Sequence, residues 1–482
     1  MPLVSDNLYP SRLPPRIPLL PSFDSRSGSP AVDSKLVNGF MEKDQSGDWW
    51  VNKRAGLLRQ GVDAVAAGSG FGLWYWEATQ NLYTITADGL LRVNQTSTVA
   101  GGPLSTTSRY TFNETQGSPR YLFMKNNEAA YALSSAGVFA EVITADYPAT
   151  TVPGSAYLNG TLYVMDIAAN IRGTTNLNDP YAWDPLNTIR AQVEPDLGIA
   201  LAKQASYVVA FKQWTTEFFY DAGAYNGTLT GSVLLPVQNA KLPMGCANAD
   251  TIQSIDDVLY FVGRNKTVGP GVYLIDKLKI GKISTPAVDK LLAESVTGAS
   301  WQARLSGHTF YLLNVTSPTS LTLAFDATSQ VWYIWSESGV AIDVLFSCAD
   351  LVNKRNLLQG STGSVLRLLD PDAYVDTSQA NVVSSLNLDA VTPIFDAGSN
   401  LGKVLSKLRI VADQNAGGSL QIRWSDNDYK DWTNWITINL QDDVPFLTNL
   451  GRFTKRAFQY RHSSATPFRM AAFEVDLLLG SI

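Results

Sequence analysis

The sequence predicts an all-β protein, namely a β-propeller-like ring of blades with an extended proline-rich N-terminal arm and a C-terminal antiparallel β-sheet or sandwich. The chain has 482 residues, among them 12 Trp, 20 Tyr and 19 Phe, and large aromatic side chains pack well on a pleated sheet. Its 36 Gly and 23 Pro suit many short strands joined by tight turns. Short apolar strands recur at steps of 32–51 residues, and families of four-stranded propeller blades repeat at about 40–50 residues.

Residues 1–60 are predicted to form an extended arm and the segment that leads into the propeller. Six prolines lie between residues 10 and 30. Proline fixes φ and donates no backbone hydrogen bond, so such a stretch is poorly suited to a sheet. We expect residues 1–32 to dock on a neighbouring subunit or on an adaptor protein, because a proline-rich chain loses little extra entropy when it becomes ordered.

Residues 61–383 are predicted to be the propeller-like domain. Each repeat alternates apolar and polar residues and contains a turn of the Asp-Gly, Asn-Gly or Ser-Ala-Gly type, as hairpins do. The repeats begin near Leu82, Ala129, Tyr157, Tyr207, Asp256, Gly307 and Asn356. One blade cannot bury its faces by itself, whereas a closed ring of blades protects most strand edges. A set of stacked sandwiches is the alternative. A short helix or turn is predicted at residues 287–295.

Residues 384–482 are predicted to be a C-terminal antiparallel sheet or sandwich. Five cations and no acid lie between residues 452 and 469, although the protein as a whole has a net charge of −6. We expect ion pairs with a neighbouring subunit or an adaptor here, and the candidate interface residues are Arg452, Lys455, Arg456 and Arg461. The alternative is a solvated edge strand that is protected by charge.

Candidate catalytic chemistry is sparse, and we predict no catalytic, cofactor-binding or metal-binding residues and no enzyme activity. His308 and His462 are predicted to lie in surface turns, and Cys246 and Cys348 to be buried, reduced thiols. The sequence contains no nucleophile elbow, phosphate-binding loop or zinc-binding helix motif. The acid-rich segment 425–432 lacks the spacing of a calcium loop and is predicted to be a structural hairpin.

Two further classes of function are disfavoured. The sequence has no stretch of about 18 apolar residues, so no segment is predicted to span a membrane. The net charge of −6 does not favour a strong general attraction to nucleic acid.

Six segments, in order along the chain, carry a resemblance to a known family. They are Asp33–Leu58, Tyr207–Gly223, Ile280–Leu292, Gly307–Trp335, Gly360–Asp376 and Leu450–Leu477. Together they resemble the tail nozzle proteins of short-tailed bacteriophages, which are also called packaged-DNA stabilisation or tail hub proteins. Ala55 departs from the family pattern, which often has Pro at this point.

The resemblance implies a structural virion protein of the phage tail, assembled in the cytoplasm of the bacterial host and without a cofactor. Such proteins look like propeller subunits that form a homohexameric ring below the portal and the head-to-tail adaptor proteins. The ring would extend the DNA channel, retain the packaged genome and support tail fibre, spike or needle proteins during genome ejection. Genomic double-stranded DNA would pass transiently and without sequence specificity, so we expect a neutral to acidic channel wall.

Two other functions remain as alternatives. One is a propeller glycosidase or polysaccharide lyase, which would need a pair of carboxylates across a cleft. The other is a carbohydrate-binding or receptor-binding module of the tail.

Overall fold

The computed structural model describes residues 33–60, 68–99, 103–223, 234–350, 355–361, 365–378 and 381–479, together with residues 16, 17, 19 and 23. The chain divides into two compact units. The propeller unit comprises residues 55–384, and the terminal unit comprises residues 1–54 and 385–482. Most of the predicted arm, residues 1–32, lies outside the described residues, and the docking of that part stays a prediction. The described part differs from the expectation, because Arg16–Ile17 pairs with the strand Arg469–Leu479 of the same chain and Ile17, Leu19 and Phe23 are buried within that chain.

The propeller unit is built from successive antiparallel meanders, which we number as blades 1 to 7 in chain order. Six of them are sheets of their own, and blade 6 is a four-stranded meander of the same design. Blade 1 contains the strands Gly70–Trp76, Asn81–Thr86, Leu91–Val93 and Ser97–Thr98; blade 2 contains Thr111–Glu114, Tyr121–Lys125, Ala130–Ser134 and Phe139–Glu141; and blade 3 contains Ala156–Leu158, Thr161–Met165, Asn170–Thr174 and Trp183–Arg190. Blade 4 contains Gly198–Gln204, Tyr207–Lys212, Thr216–Asp221 and Leu234–Pro236, and blade 5 contains Gly245–Cys246, Gln253–Ile255, Val258–Arg264, Gly271–Asp276 and Lys279–Lys282. Blade 6 contains Val296–Leu305, His308–Ser317, Leu321–Asp326 and Val331–Trp335, and blade 7 contains Phe346–Asp350, Arg355–Gln359, Leu366–Asp370 and Gly56–Gln60.

The ring of blades is closed by the first strand of the unit. Gly56–Gln60 pairs antiparallel with Leu366–Asp370 and so completes the last blade with a strand from the other end of the unit. Gln359 of blade 7 donates a hydrogen bond to the carbonyl oxygen of Ile85 in blade 1 at 3.2 Å. The last blade therefore lies beside the first, and the prediction of a propeller is confirmed.

Close packing between blades depends on apolar strands and on glycines at points of close approach, of which Gly154 is one. The strands Ala130–Ser134 and Leu321–Asp326 are buried along their whole length, because both faces of a blade meet neighbouring blades. Gly154 precedes blade 3 with φ of 87°, and a Cβ atom there would lie 1.9 Å from the carbonyl oxygen of Leu201 in blade 4. Only glycine permits both this backbone conformation and this approach.

A single-turn 3-10 helix and an α-helix interrupt the strands of the propeller unit. They are Ala249–Thr251 and Pro286–Glu294, and a two-stranded ribbon, Val375–Thr377 with Val383–Ser385, follows blade 7. The α-helix begins with Thr285 as its N-cap and Pro286 in its first turn, both favourable there. Within the described ranges, no helix has the length and apolar character needed to cross a membrane.

The terminal unit contains two antiparallel sheets. The strands of the first are Arg16–Ile17, Gly39–Lys43, Trp49–Lys53, Lys403–Ala412, Phe446–Thr448, Arg452–Phe453 and Arg469–Leu479. The strands of the second are Lys35–Val37, Leu388–Val391, Ser419–Ser425, Ile436–Asn439 and Ala457–His462. Phe458 and Tyr460 of the second sheet each pack on Phe473 of the first, with ring centroids 5.6 Å apart. The predicted C-terminal sheet is thus present, and strands from residues 35–53 complete it.

Candidate functional site

The first candidate site is a cavity on the axis of the propeller unit. Its volume is about 670 Å³. The first strands of the blades, or the segments that lead into them, supply its wall, and the residues with polar or aromatic side chains include Trp74, Arg109, Phe112, Asn113, Asn127, Ser155, Lys203, Asp250, Gln253, Asp257, Ser300 and Phe346. A volume of this size is that of a small-molecule pocket, which is about 300–1,000 Å³.

The side chain of Arg109 bridges the wall of this cavity. It is supplied by the segment before blade 2, and its Nη1 lies 3.4 Å from Asp250 Oδ2 of blade 5. Its guanidinium carbon also lies 5.8 Å from the centre of the Phe346 ring in blade 7. B-DNA has a major groove that alone is about 12 Å wide. Because the ion pair between Arg109 and Asp250 joins blades 2 and 5 at the cavity, no passage of that width crosses it, and a duplex does not fit through the axis of one propeller unit.

A buried charge centre fixes the loop between blades 3 and 4. Lys212 Nζ lies 2.7 Å from Asp196 Oδ1 and 2.6 Å from Glu217 Oε1, and all three side chains are at most 4% exposed. The ammonium also donates to the carbonyl oxygen of Glu194 at 2.8 Å. Because buried charges are tolerated only when they are paired and hydrogen-bonded, this arrangement makes the loop a rigid part of the propeller.

Lys125 occupies the matching place at the end of the second strand of blade 2. Its Nζ donates to the carbonyl oxygens of Val152 and Gly154 at 2.6 and 3.1 Å. Burial lowers the pKa of Lys125 to about 7, because a low-dielectric site disfavours the charged amine. Asn314 of blade 6 bonds the carbonyls of Ile342 and Val344 in the same way. Polar side chains on the second strands of these blades therefore hold the segments that connect successive blades.

The predicted interface residues divide into two groups. Arg456 is 1% exposed and binds both carboxylate oxygens of Asp426, at 2.7 and 2.8 Å. Arg461 Nη2 lies 2.7 Å from Asp389 Oδ2. Both guanidinium groups thus pair with carboxylates of their own chain. Arg452 and Lys455 are exposed, and the described part of the chain provides no ion-pair partner for either. An interface role for the four residues stays a prediction.

The hairpin predicted in the acid-rich segment 425–432 explains the burial of Arg456. Asn427 Oδ1 accepts hydrogen bonds from the Ser425 hydroxyl and the Asp431 amide, at 3.0 and 2.9 Å. This turn presents Asp426 to Arg456, whose guanidinium also stacks 4.4 Å from the centre of the Phe453 ring. The five-cation pattern of the sequence gives no sign of this pairing, because the two residues are 30 positions apart.

The expectation that both histidines lie in surface turns is wrong. His308 is 7% exposed and its Nδ1 lies 2.7 Å from Asp326 Oδ2. His462 is fully buried, and this burial, with a smaller effect from Lys53, lowers its pKa to about 3. Of the thiols, Cys246 is buried and Cys348 is partly buried, and burial raises the pKa of each to about 12.

A comparison with protein families decides the identity of the fold. The family model described as phage stabilisation, "Bacteriophage P22 Gp10, beta-propeller", matches residues 43–373. The chain belongs to this family. It is therefore a phage structural protein of the packaged-DNA stabilisation class, which places it in the virion, and the resemblance noted in the sequence is confirmed.

Solved structures resemble the chain only weakly. The extracellular domain of the one component system BT4673 from B. thetaiotaomicron has 9% identity, a TM-score of 0.44 and coverage of 86% of this chain, which spans 58% of that protein's length. The N-terminal domain of Nup159 has 10% identity and a TM-score of 0.37, covering 70% of this chain and 99% of its own. YCF48 bound to D1 peptide has 11% identity and a TM-score of 0.40, with coverages of 65% and 96%. All three TM-scores are below 0.5. No curated protein matches the chain.

Proposed function

We propose that the chain forms the tail nozzle, or hub, of a short-tailed bacteriophage. In this proposal several copies, six in the simplest case, form a ring below the portal and the head-to-tail adaptor proteins. The ring extends the DNA channel, retains the packaged genome and carries fibre, spike or needle proteins until the genome is ejected. Family membership supports the structural role in the virion, whereas the ring, its position and the absence of catalysis belong to the proposal.

The observation that supports a ring of several copies is the small size of the central cavity. At about 670 Å³, with Arg109 bridging Asp250 and Phe346 at its wall, the axis of one propeller unit excludes a DNA duplex. A protein that retains packaged DNA at a channel must then build that channel between copies. Propeller units serve as rigid walls in such a ring, since their connecting segments are held by buried polar contacts such as that of Lys212.

The net charge suits a channel that lets DNA slide. Each chain has a net charge of −6, so a ring of copies is strongly acidic overall. A wall that neutralised many phosphates would bind DNA tightly through counterion release, and passage would be slow. A neutral to acidic channel wall avoids this.

Cryo-electron microscopy of intact virions tests the proposal. We expect the propeller units to surround the DNA path below the adaptor, with the axis of each propeller displaced from that path. A map that places DNA density along the axis of a single propeller unit, or that places the protein away from the tail channel, would contradict the proposal. The alternative of a glycan-active enzyme would be favoured if the purified protein degraded host surface polysaccharide.

A further inference from the structure

One end of the first sheet of the terminal unit is apolar and basic. Val404 pairs with Arg452 on one side and with Leu478 on the other, so the three side chains form a row on one face. Val404 is 39% exposed and Leu478 64%. The Arg452 guanidinium lies over Gly402, where a Cβ atom would be 2.5 Å from its Nε. Lys455 follows closely in the chain and is exposed.

The other end of the same sheet is acidic. The strand Lys403–Ala412 is followed by the exposed Asp413, and Ile410 donates to the carbonyl oxygen of Pro445 at 2.9 Å, which brings the segment 442–446 to this end. Asp442 and Asp443 are exposed and Val444 is 56% exposed. At about 3.3 Å per residue, the two ends are about 30 Å apart.

The charges between the two ends are already paired within the chain. Arg409 Nη2 lies 3.6 Å from Asp476 Oδ2, and Arg16 Nη2 lies 3.2 Å from Glu474 Oε1. Lys407 lies over the Phe446 ring at 4.1 Å from its centre. By contrast, the charged side chains of the two ends have no ion-pair partner in the ranges that the structure describes. These side chains are Arg452, Lys455, Asp413, Asp442 and Asp443.

We propose that copies of the chain contact one another head to tail through these two ends, the basic end of one copy meeting the acidic end of the next. This inference rests on the proposed ring and names the surfaces that build it. Two complementary surfaces at different places on one chain generate a heterologous contact, which closes into a ring when the rotation between copies permits it. Each end also exposes apolar side chains, Val404 and Leu478 at one and Val444 at the other, which such a contact covers.

The competing explanation for the cations is protection of a sheet edge from aggregation. It accounts for Arg452 and Lys455, but it does not account for the exposed Leu478 beside Arg452. At the far end, Asp442 accepts a hydrogen bond from Asn439 and Asp443 accepts one from Gln414, at 3.3 and 3.1 Å, but neither carboxylate has a cation beside it among the described residues. Under the edge-protection explanation, charge reversal would leave any assembly of copies unchanged.

Charge exchange between the two ends tests the inference. The variants are Arg452→Glu with Lys455→Glu, Asp442→Lys with Asp443→Lys, and a chain that carries all four substitutions. Lys277→Glu with Lys279→Glu is the matched control, because it makes the same change in charge on an exposed hairpin of the propeller unit. Oligomer mass is measured by sedimentation velocity at low and high salt, and circular dichroism melting checks that each variant is folded.

We expect each double variant of the terminal unit to need at least about tenfold more protein to assemble, since like charges then meet at the contact. An equal mixture of the two double variants, and the fourfold variant alone, should both assemble again because opposite ends are restored. The control should assemble like the wild type, and the wild-type ring should weaken as salt rises.

Two results would overturn the inference while leaving the ring intact. In one, both double variants assemble like the wild type. In the other, both fail and neither the mixture nor the fourfold variant recovers. A wild-type chain that stays monomeric at every concentration would instead contradict the ring itself, and with it both the proposed function and this contact.

Discussion

Replacing Lys212 with Met should destabilise the propeller unit markedly. The substitution keeps the length of the side chain but removes the ammonium that binds Asp196 and Glu217, whose side chains are only 4% exposed. Breaking a buried ion pair costs about 3–5 kcal/mol. Asp196 keeps hydrogen bonds from the Trp214 and Thr215 amides at 2.8 and 3.0 Å, so we expect the lower end, about 3 kcal/mol.

This free energy converts to a shift in melting temperature. The unfolding entropy of about 2.1 cal/mol/K per residue, applied to residues 55–384, gives a decrease of about 4 °C for 3 kcal/mol. Calorimetry measures this decrease. Hydrogen exchange should also show reduced protection of the segment 191–197, because Lys212 holds the carbonyl oxygens of Ala191 and Glu194.

Lys241→Met is the matched control for Lys212→Met. Lys241 also forms an ion pair, with Glu194 Oε1 at 2.7 Å, but both side chains are more than a third exposed. Solvent screens such a pair, so its loss should change the melting temperature very little. If Lys212→Met and Lys241→Met lower the melting temperature equally, the buried centre does not stabilise the propeller unit.

Three further predictions concern single buried groups. The pKa of Lys125 falls from 10.5 to about 7 on folding, so between these two pH values the unfolded chain binds one proton more than the folded chain. The stability of the wild type relative to Lys125→Met should therefore rise by about 1.4 kcal/mol per pH unit between pH 7 and pH 10.5. Urea midpoints at several pH values in this window check the rise, and parallel curves for the two proteins would contradict it. The pKa of His462 falls from 6.5 to about 3 on folding. The stability of the wild type relative to His462→Gln should therefore fall by about 1.4 kcal/mol for each pH unit below 6.5, since the unfolded chain then binds the extra proton. A difference in stability between the two proteins that is the same at pH 4.5 and pH 7 would refute this. Arg456→Leu should destabilise the terminal unit by about 1.5–3 kcal/mol, which is the contribution of hydrogen bonds to charged groups. Arg452→Leu should leave the stability of this unit nearly unchanged, because Arg452 is exposed. Equal melting temperatures for the two variants would show that the buried pairing of Arg456 does not stabilise the terminal unit.

The propeller could be predicted because its signals are local. Alternation of apolar and polar residues and the turn at Asn159 and Gly160, both with positive φ, are written within a few residues of one another. The closure of the ring could not be predicted in this way. Gly56–Gln60 pairs with a strand more than 300 residues later, and no local pattern specifies that partner.

The same reason explains the errors about single side chains. His308 follows Gly307 and has the sequence context of an exposed turn, but the strand Leu321–Asp326 brings Asp326 against it. Arg456 looks like part of a continuous basic segment, but Asp426 reaches it from another strand. Pairings of this kind depend on strand order in the folded chain, which the sequence pattern does not contain.

The mass of the purified assembly tests the central claim most directly. One chain has a mass of 52.5 kDa, so native mass spectrometry of a six-membered ring should give about 315 kDa, the mass expected for closed symmetric assembly. The predicted result is a discrete species of that mass at low salt. A protein that remains at the mass of one chain, or that forms an open series of masses without a preferred size, would contradict a ring built from this chain.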